Sequence, residues 1–467
     1  MHSAYVMVVD ATKRRVALVE RDGIATLPKV EWRDGEPVDI AAALDGTTRV
    51  ADGATDDDWV RRWPPLTILS CLAESTDDSG AETVRTWLYL CEPVPGISLA
   101  QVADGWWSSQ DHDLDLPAAL TRSLRSTLAI VGDGDTADGD WSYFNLPGAT
   151  ATITATLASS HAAAPVATMY DHSVGRRPTD LRQLRGWWLS SVWQNDEVVF
   201  KTTHPSWPSE PAVNELLSRV MPEHTEPILA SGFVTQAGHA PTPWMVQHRA
   251  KARPSDHTED GDLAQDERHR LSLSCVEVLA RIQLALVGRE PELRAAGVAD
   301  RTIAATRAAL ESLWASPELE SLDASERAAL PVLEKHILSR LDALEALGTE
   351  PLLAHGDLHL GNVVQTSSGE LKLIDWTDAA LSWPGVDLMT LLPRRADTVR
   401  RDAIVGAYEL ALGERFGPSV RPGLELADVF HAISYAKIEA FLPRSGRWEL
   451  GGTVRFLVKR QLELVMR

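Results

Sequence analysis

The sequence predicts an α+β protein whose strands crowd into the first half of the chain and whose helices fill the second. Three observations predict it. Short β-leaning runs separated by turn signals continue to about residue 250. Apolar residues then recur at i, i+3, i+4 and i+7 from about residue 262. One hairpin-like stretch, 352–376, interrupts the helical half.

The strand-rich half falls into two parts. Residues 1–115 carry AYVMVVD, RRVALVE, IATLPKVEW and TWLYLCEPV, with Asp22-Gly23 and Asp34-Gly35 as turns and the acidic DGATDDDWV as a loop. The alternation suits a pyrophosphohydrolase-like sheet, but the glutamate-rich helix that such enzymes use for metal is absent. A helical run, PAALTRSLRSTLAIVG (117–132), leads into the turn-rich GDGDTADGD. Residues 116–250 form a second strand-rich region around GWWLSSVW, EVVFKTTH and PWMVQHRA, broken by the helical run EPAVNELLSRVM (210–221). Residues 251–467 are read as helical, with Ser325-Glu326 and Gly348 as start and stop signals for one long helix.

Composition narrows the partners. At 467 residues the chain exceeds what one hydrophobic core supports, and with 44% hydrophobic and 24% charged residues it is an ordinary globular sequence. A formal net charge of −21 speaks against nucleic acid or an anionic membrane as partner, since both select a basic face. Cys71, Cys91 and Cys275 are too scattered for a disulfide framework or a zinc site and sit in apolar runs as packing residues. No leader-like N-terminus and no stretch near the roughly 18 apolar residues of a spanning helix is visible, so a soluble, cytoplasmic protein is expected.

The informative segment is LLAHGDLHLGNVVQTSSGELKLIDWTD, residues 352–378. It reads as a loop followed by a hairpin whose strands are VVQT and ELKLID and whose turn is SSG. Such a hairpin brings Asn362 and Asp375 to one end, beside the loop that carries Asp357. Phosphoryl transfer uses this set: one carboxylate orients the attacking hydroxyl and accepts its proton, while a second carboxylate and an amide oxygen hold magnesium, a hard cation. Asp357 is therefore the candidate base, and Asn362 and Asp375 the candidate metal ligands. Alone, an Asp in a Gly-rich loop is a turn former and Asp375 a strand cap; the joint spacing is what argues for chemistry.

These residues, H-G-D-x-H-x-x-N followed by I-D-W, resemble the aminoglycoside phosphotransferase-like kinases. Within them the HGDLHLG wording is most similar to actinobacterial maltokinases and the related glucosamine kinases. Maltokinases commonly carry Gln where this chain has Asn362, which points to the glucosamine-kinase branch. The resemblance spans about residues 180–467 and implies a eukaryotic-protein-kinase-like bilobal fold, with a β-rich N-lobe, an α-helical C-lobe and an extra N-terminal β-rich cap domain. It also implies ATP and Mg2+ as cofactors and a small-molecule sugar or amino sugar as partner.

Several roles follow from the resemblance. Lys201, a strand lysine in EVVFK, is the expected phosphate-binding residue, and Glu215 its helix partner. Glu210 is the competitor for that pairing, set aside as a charge at the helix start. No glycine-rich loop precedes Lys201, so SSVWQNDE (190–197), with Ser190, Ser191 and Asn195, takes the phosphate-covering position. Gln247, His248 and Arg249 form the expected adenine hinge. His355, His359 and Asp387 are expected to support the catalytic loop.

The acceptor pocket is read from polar spacing. In LELADVFHAISYAKIEAFL (424–442), Asp428, His431, Tyr435 and Glu439 share one helical face, either a solvated stripe or a cleft lining. Trp376, Trp383 and Trp448 are candidates to stack on a sugar ring, and Asp378, Tyr435 and Glu439 to bind it beside Asp357. Two carboxylates favour an amino sugar, D-glucosamine phosphorylated at O6 by analogy with the family. The alternatives are maltose, an aminoglycoside antibiotic, or a nucleotide-binding pseudokinase.

Overall fold

The fold is given by a computed structural model, which describes residues 2–10, 15–21, 24–27, 29–32, 66–77, 84–93, 105–108, isolated positions between 114 and 124, and 182–186. It further describes residues 189–194, 198–234, 241–249, 265–366, 368–393, 397–441 and 452–466. The chain divides into two compact units.

The first unit comprises Met1–Pro205, Leu229–Val246 and Leu442–Glu449. Its first sheet is built on β1 (His2–Asp10), a run of Tyr, Val and Met whose branched and apolar residues suit a pleated, buried surface. Around it lie β2 (Arg15–Arg21), β3 (Ile24–Thr26), β4 (Lys29–Trp32), β5 (Leu66–Asp77), β6 (Val84–Pro93) and β7 (Gly105–Trp107). The strand order is β3-β2-β1-β6-β5, with β4 also on β1 and β7 on β2. The β1–β6 pairing is parallel, Ser3 opposite Thr86 through Val8 opposite Cys91. Val6, Met7, Val8, Leu88 and Cys91 are buried there.

A second sheet has the order β11-β12-β10-β9-β8, formed by β8 (Arg182–Gly186), β9 (Ser190–Gln194), β10 (Val198–Thr203), β11 (Ile228–Val234) and β12 (Thr242–His248). Trp193, Val198, Phe200, Trp244 and Val246 make its core. Phe200 and Trp244 pack with ring centroids 6.3 Å apart, within the favourable range for aromatic pairs.

The second unit comprises Ser206–Ile228, Gln247–Phe441 and Leu450–Arg467. Its helices are α1 (Glu210–Val220), α2 (Gln265–Ala285), α3 (Glu290–Ala295), α4 (Ile303–Trp314), α5 (Ala324–Glu345), α6 (Leu388–Leu391), α7 (Thr398–Phe416), α8 (Val420–Glu425), α9 (Ala427–Phe441) and α10 (Thr453–Val465). Three short strands, β13 (Ala299–Asp300), β14 (Leu352–Ala354) and β17 (Ala380–Ser382), form one sheet in the order β13-β17-β14. β15 (Val363–Gln365) and β16 (Leu371–Leu373) form the hairpin.

Local chemistry explains the helix ends. α5 starts one residue before the expected Ser325, because Asp323 caps it: its side chain accepts from the Glu326 amide while the Glu326 side chain accepts from the Asp323 amide. Pro211 lies in the first turn of α1, where its missing N–H leaves no bond unmade. One core cluster joins α2, α7 and the hairpin through Leu279, Ile282, Tyr408, Val363 and Leu373. Another joins α4, α5, α9 and α10 through Leu310, Ile337, Phe430 and Leu457. Among the described residues no helix is long and apolar enough to cross a membrane.

Candidate active site

The hairpin fixes the candidate donors. β15 and β16 pair antiparallel with Val363 opposite Leu373, and the Ile374 amide extends the ladder by donating 3.0 Å to the Asn362 carbonyl. Gly369, at φ 88°, supplies the left-handed residue that closes the turn. Asn362 and the segment leading to Asp375 therefore lie side by side. The Asn362 side chain donates its Nδ2–H to the Asp357 carbonyl at 2.9 Å, which commits the amide nitrogen and turns Oδ1 out as the acceptor.

Asp375 has φ 64° and ψ 63°, the single left-handed non-glycine residue among the described residues. Such a conformation costs roughly 1–2 kcal/mol and persists only where neighbours enforce it. The neighbours are visible. His355 is fully buried, donates from Nε2 to the Ile374 carbonyl at 2.9 Å and stacks on Trp376 with centroids 4.6 Å apart. The Thr377 hydroxyl lies 2.7 Å from Asp375 Oδ1 and 2.9 Å from Glu210 Oε2.

The catalytic loop is held from below by Asp387, just before α6. Its carboxylate accepts from the Gly356 amide at 2.8 Å and the His355 amide at 3.2 Å. Burial raises its pKa to about 6, opposed by those two amides and assisted by the nearby Asp357 charge. Gly356 is required twice over: its φ is 87°, and a β-carbon there would overlap the Asp378 carbonyl. This contact places the Asp357 loop directly on the segment that follows Asp375. His359 accepts from the Gly361 amide on Nδ1 at 3.0 Å, so its proton sits on Nε2, 3.7 Å from Asp357 Oδ2.

A cleft opens beside these residues, lined by Trp207, Pro208, Ser209, Gly297, Arg301, Thr377, Asp378, Ser434 and Lys437 among others. Tyr435, half-buried on α9, stands near Asp357 and Asp378; burial and then those two charges push its hydroxyl up to about 12, so it remains a neutral donor.

Several expected acceptor residues are elsewhere. Trp376 is fully buried, donates its indole N–H to the Leu373 carbonyl at 3.1 Å, and is a core residue rather than a stacking surface. Trp383 is likewise buried, bonded to the Gly423 carbonyl. Glu439 is buried against the Ser316 hydroxyl at 3.1 Å, and α9 presents Ser434 and Lys437 to the cleft instead. Of the polar stripe of α9, Asp428, His431 and Glu439 are buried rather than solvated. Asp428 pairs with Arg460 at 3.2 Å and with Gln461 of α10, and His431 bonds to the Val386 carbonyl. Trp448 and Asn195 lie outside the described residues.

The expected nucleotide residues are placed as follows. Lys201 is buried in the middle of β10, opposite Val192 of β9, and Ser191 is opposite Thr202. In the other unit, Gln247, next to last in β12, donates from its side chain to Asn214 Oδ1 and the Glu226 carbonyl; His248 is exposed and Arg249 half-buried. The two glutamates of α1 sit in different surroundings. Glu215 is exposed, whereas Glu210 is 1% exposed and bound to Thr377. Thr377, Glu210, Arg301 and Lys437 are the residues that sequence reading did not select.

A carboxylate on a braced loop, an amide oxygen and a second carboxylate at the end of one hairpin are the donor types that a phosphotransferase site uses. The family comparison agrees. Residues 180–424 match the model of the phosphotransferase enzyme family, more than half of the chain, and the protein belongs to that family. Its members are ATP-dependent phosphotransferases acting on hydroxyl groups, with a protein-kinase-like fold of mixed α/β content. No curated protein matches the chain. Among solved structures, the GDP and kanamycin complex of APH(2")-IIia is 17% identical, covering 62% of this chain and 92% of that one at a TM-score of 0.39. The macrolide 2'-phosphotransferase MphH from Brachybacterium faecium is 16% identical, covering 59% and 89% at a TM-score of 0.37. The ternary complex of APH(4)-Ia with ADP and hygromycin B is 12% identical, covering 61% and 94% at a TM-score of 0.41.

Proposed function

We propose that the protein is an ATP- and magnesium-dependent sugar kinase that phosphorylates a hydroxyl of an amino sugar, with D-glucosamine converted to glucosamine 6-phosphate as the leading reaction. The observation that carries the reading is the convergence of Asp357, Asn362 and Asp375 on one braced loop and hairpin, next to a polar cleft containing Asp378.

The donor set suits magnesium. Among the described residues no group of three or more His, Cys, Asp or Glu could hold a metal. Asn362 Oδ1 and the Asp375 carboxylate are instead a sparse pair of hard oxygens. Magnesium prefers such pairs, completing its octahedron with water and phosphate oxygens. Bound there, it would neutralise charge on the nucleotide phosphates. Asp357 orients the acceptor hydroxyl and takes its proton, and the Tyr435 hydroxyl is placed to donate to acceptor oxygens. Lys201 is assigned to the ATP phosphates, and Gln247 to Arg249 to the adenine edge. Asp378 is assigned to the acceptor ammonium. Residues 1–115, which contain the seven-stranded sheet, form an appended cap in this reading; residues 116–250 form the N-lobe and residues 251–467 the helical lobe.

ATP consumption measured over glucosamine, glucose, maltose and kanamycin tests the proposal. Glucosamine is expected to give the highest kcat/KM. A clear preference for maltose or kanamycin overturns the amino-sugar assignment, and no turnover with any of the four overturns the sugar-kinase reading.

A further inference from the structure

The cleft that holds Asp378 also holds two cations. Arg301, which follows β13, and Lys437 of α9 both line it, together with Ser434, Thr377 and Trp207. Among the described residues neither Arg301 nor Lys437 makes a side-chain hydrogen bond or an ion pair. Arg301 uses only its backbone, donating to the Leu381 carbonyl at 2.9 Å and accepting from the Thr306 hydroxyl.

This is an expensive arrangement to leave unanswered. A guanidinium carries five donors and a partly desolvated one normally meets a carboxylate or phosphate. Burial lowers the Arg301 pKa while the Asp378 charge opposes that change. Burial and then the like charge of Arg301 lower the Lys437 pKa. Two like charges held in one cleft repel, and an anion between them relieves both the repulsion and the lost hydration. Several other arginines in this unit are paired with carboxylates: Arg307 with Asp342 and Glu345, Arg400 with Asp397 and Asp266, Arg460 with Asp428. Among the described residues Arg301 and Lys437 have no such carboxylate partner, and both line the cleft, where a small molecule can enter.

We propose that Arg301 and Lys437 bind an anionic group, a carboxylate or a phosphate, carried by the acceptor itself. Resting on the sugar-kinase reading, this narrows the acceptor class to a hexosamine or hexose bearing one acidic substituent besides the hydroxyl that is phosphorylated. Asp378 and Asp357 face the hydroxyl and amino side of such a molecule, and the two cations its acidic side. The guanidinium fork gives the geometry for two parallel bonds to the anion, and the Lys437 ammonium adds a point charge from α9.

The test is a charge square of acceptors read by binding and, separately, by turnover. Isothermal titration of the full chain, saturated with ADP and magnesium, compares glucose, glucosamine, glucose 1-phosphate and glucosamine 1-phosphate, with glucuronate as the carboxylate probe. Each anionic sugar is expected to bind about tenfold more tightly than its uncharged counterpart, the size of one charge-assisted contact. Arg301→Met and Lys437→Met should each erase that gain, and Arg301→Lys should retain part of it. The glucosamine-to-glucose ratio should stay unchanged in all three variants. Lys437 is exposed, so its variant reports on binding even where an Arg301 substitution impairs folding. Anionic sugars that bind no better than neutral ones overturn the proposal, as does an Arg301→Met effect confined to nucleotide affinity. Turnover is a distinct readout: tight binding of anionic sugars with no phosphorylation sinks the kinase reading and leaves the anion site standing.

Discussion

The loop and hairpin of residues 352–378 and the cleft beside them are built in opposite ways. In the hairpin, every donor lies within one short segment, and the backbone ladder from Val363–Leu373 to the Ile374 amide sets their spacing. In the cleft, the walls come from four distant segments, 206–209, 297–301, 377–379 and 434–437. The first arrangement is local and intolerant, because a shift of one residue moves every ligand. The second depends on how helices pack, so its chemistry can change by single substitutions while the catalytic donors stay in place. Thr377 and Asp378 belong to both and join them.

Four measurements put that contrast to the test. Asp357→Asn should lower kcat by at least about 10³-fold, the scale expected for removing a positioned base that also orients the nucleophile, while nucleotide affinity measured by titration stays near wild type. Retained activity would falsify the assignment of Asp357 as base. Gly356→Ala comes next. The new β-carbon meets the Asp378 carbonyl and φ is 87°, so a loss on the order of 3 kcal/mol in chemical denaturation is expected, with the base displaced. An unchanged denaturation midpoint would show that the two segments do not touch.

Thr377→Val should have a smaller effect. The hydroxyl has one proton for two carboxylates, Asp375 and Glu210, and losing it unties both. About a tenfold rise in the magnesium concentration for half-maximal nucleotide binding is expected, with Thr377→Ser restoring it; a Val variant with the wild-type magnesium curve refutes the role. The last effect, on stability rather than activity, is on α9, away from the donors. Burial lowers the His431 pKa to about 4 from its ordinary value of 6.5. The unfolded chain therefore binds that proton more readily, and stability falls as pH drops from about 6.5 towards 4, by at most about 1.4 kcal/mol per pH unit. His431→Gln should flatten that limb of the Tm-against-pH curve and leave kcat intact. An unaltered curve would show that His431 is already charged in the fold.

How far the sequence could be read follows from the same contrast. Asp357, Asn362 and Asp375 could be found because their spacing is a backbone matter, five residues in a loop and one hairpin in register. The strands around Val6, Leu88 and Phe200 were legible from β-branched and aromatic runs, and α2 and α5 from their apolar period. The glutamates of α1 were not. Five residues apart on a helix is roughly 140° of rotation, so the choice between Glu210 and Glu215 turns on helix orientation, which no local pattern records. Trp376 misled because an aromatic next to the metal aspartate suits a sugar, yet its ring is taken by the His355 stack. Asp428 and His431 were visible as a polar stripe, but their partners Arg460 and Val386 belong to other elements. Arg301 gave no signal at all: it is one arginine in GVADRTIAA, given meaning only by what surrounds it.

The left-handed backbone of Asp375 has a consequence for anyone who evolves or stabilises this enzyme. The residue proposed as a metal ligand is also the one the polypeptide holds against its own preference. Replacing it with glycine relieves a conformational penalty of about 1 kcal/mol and removes the carboxylate. Selection for heat resistance alone would then reward the dead variant. A library screened on melting temperature should accumulate Asp375→Gly unless activity is screened with it.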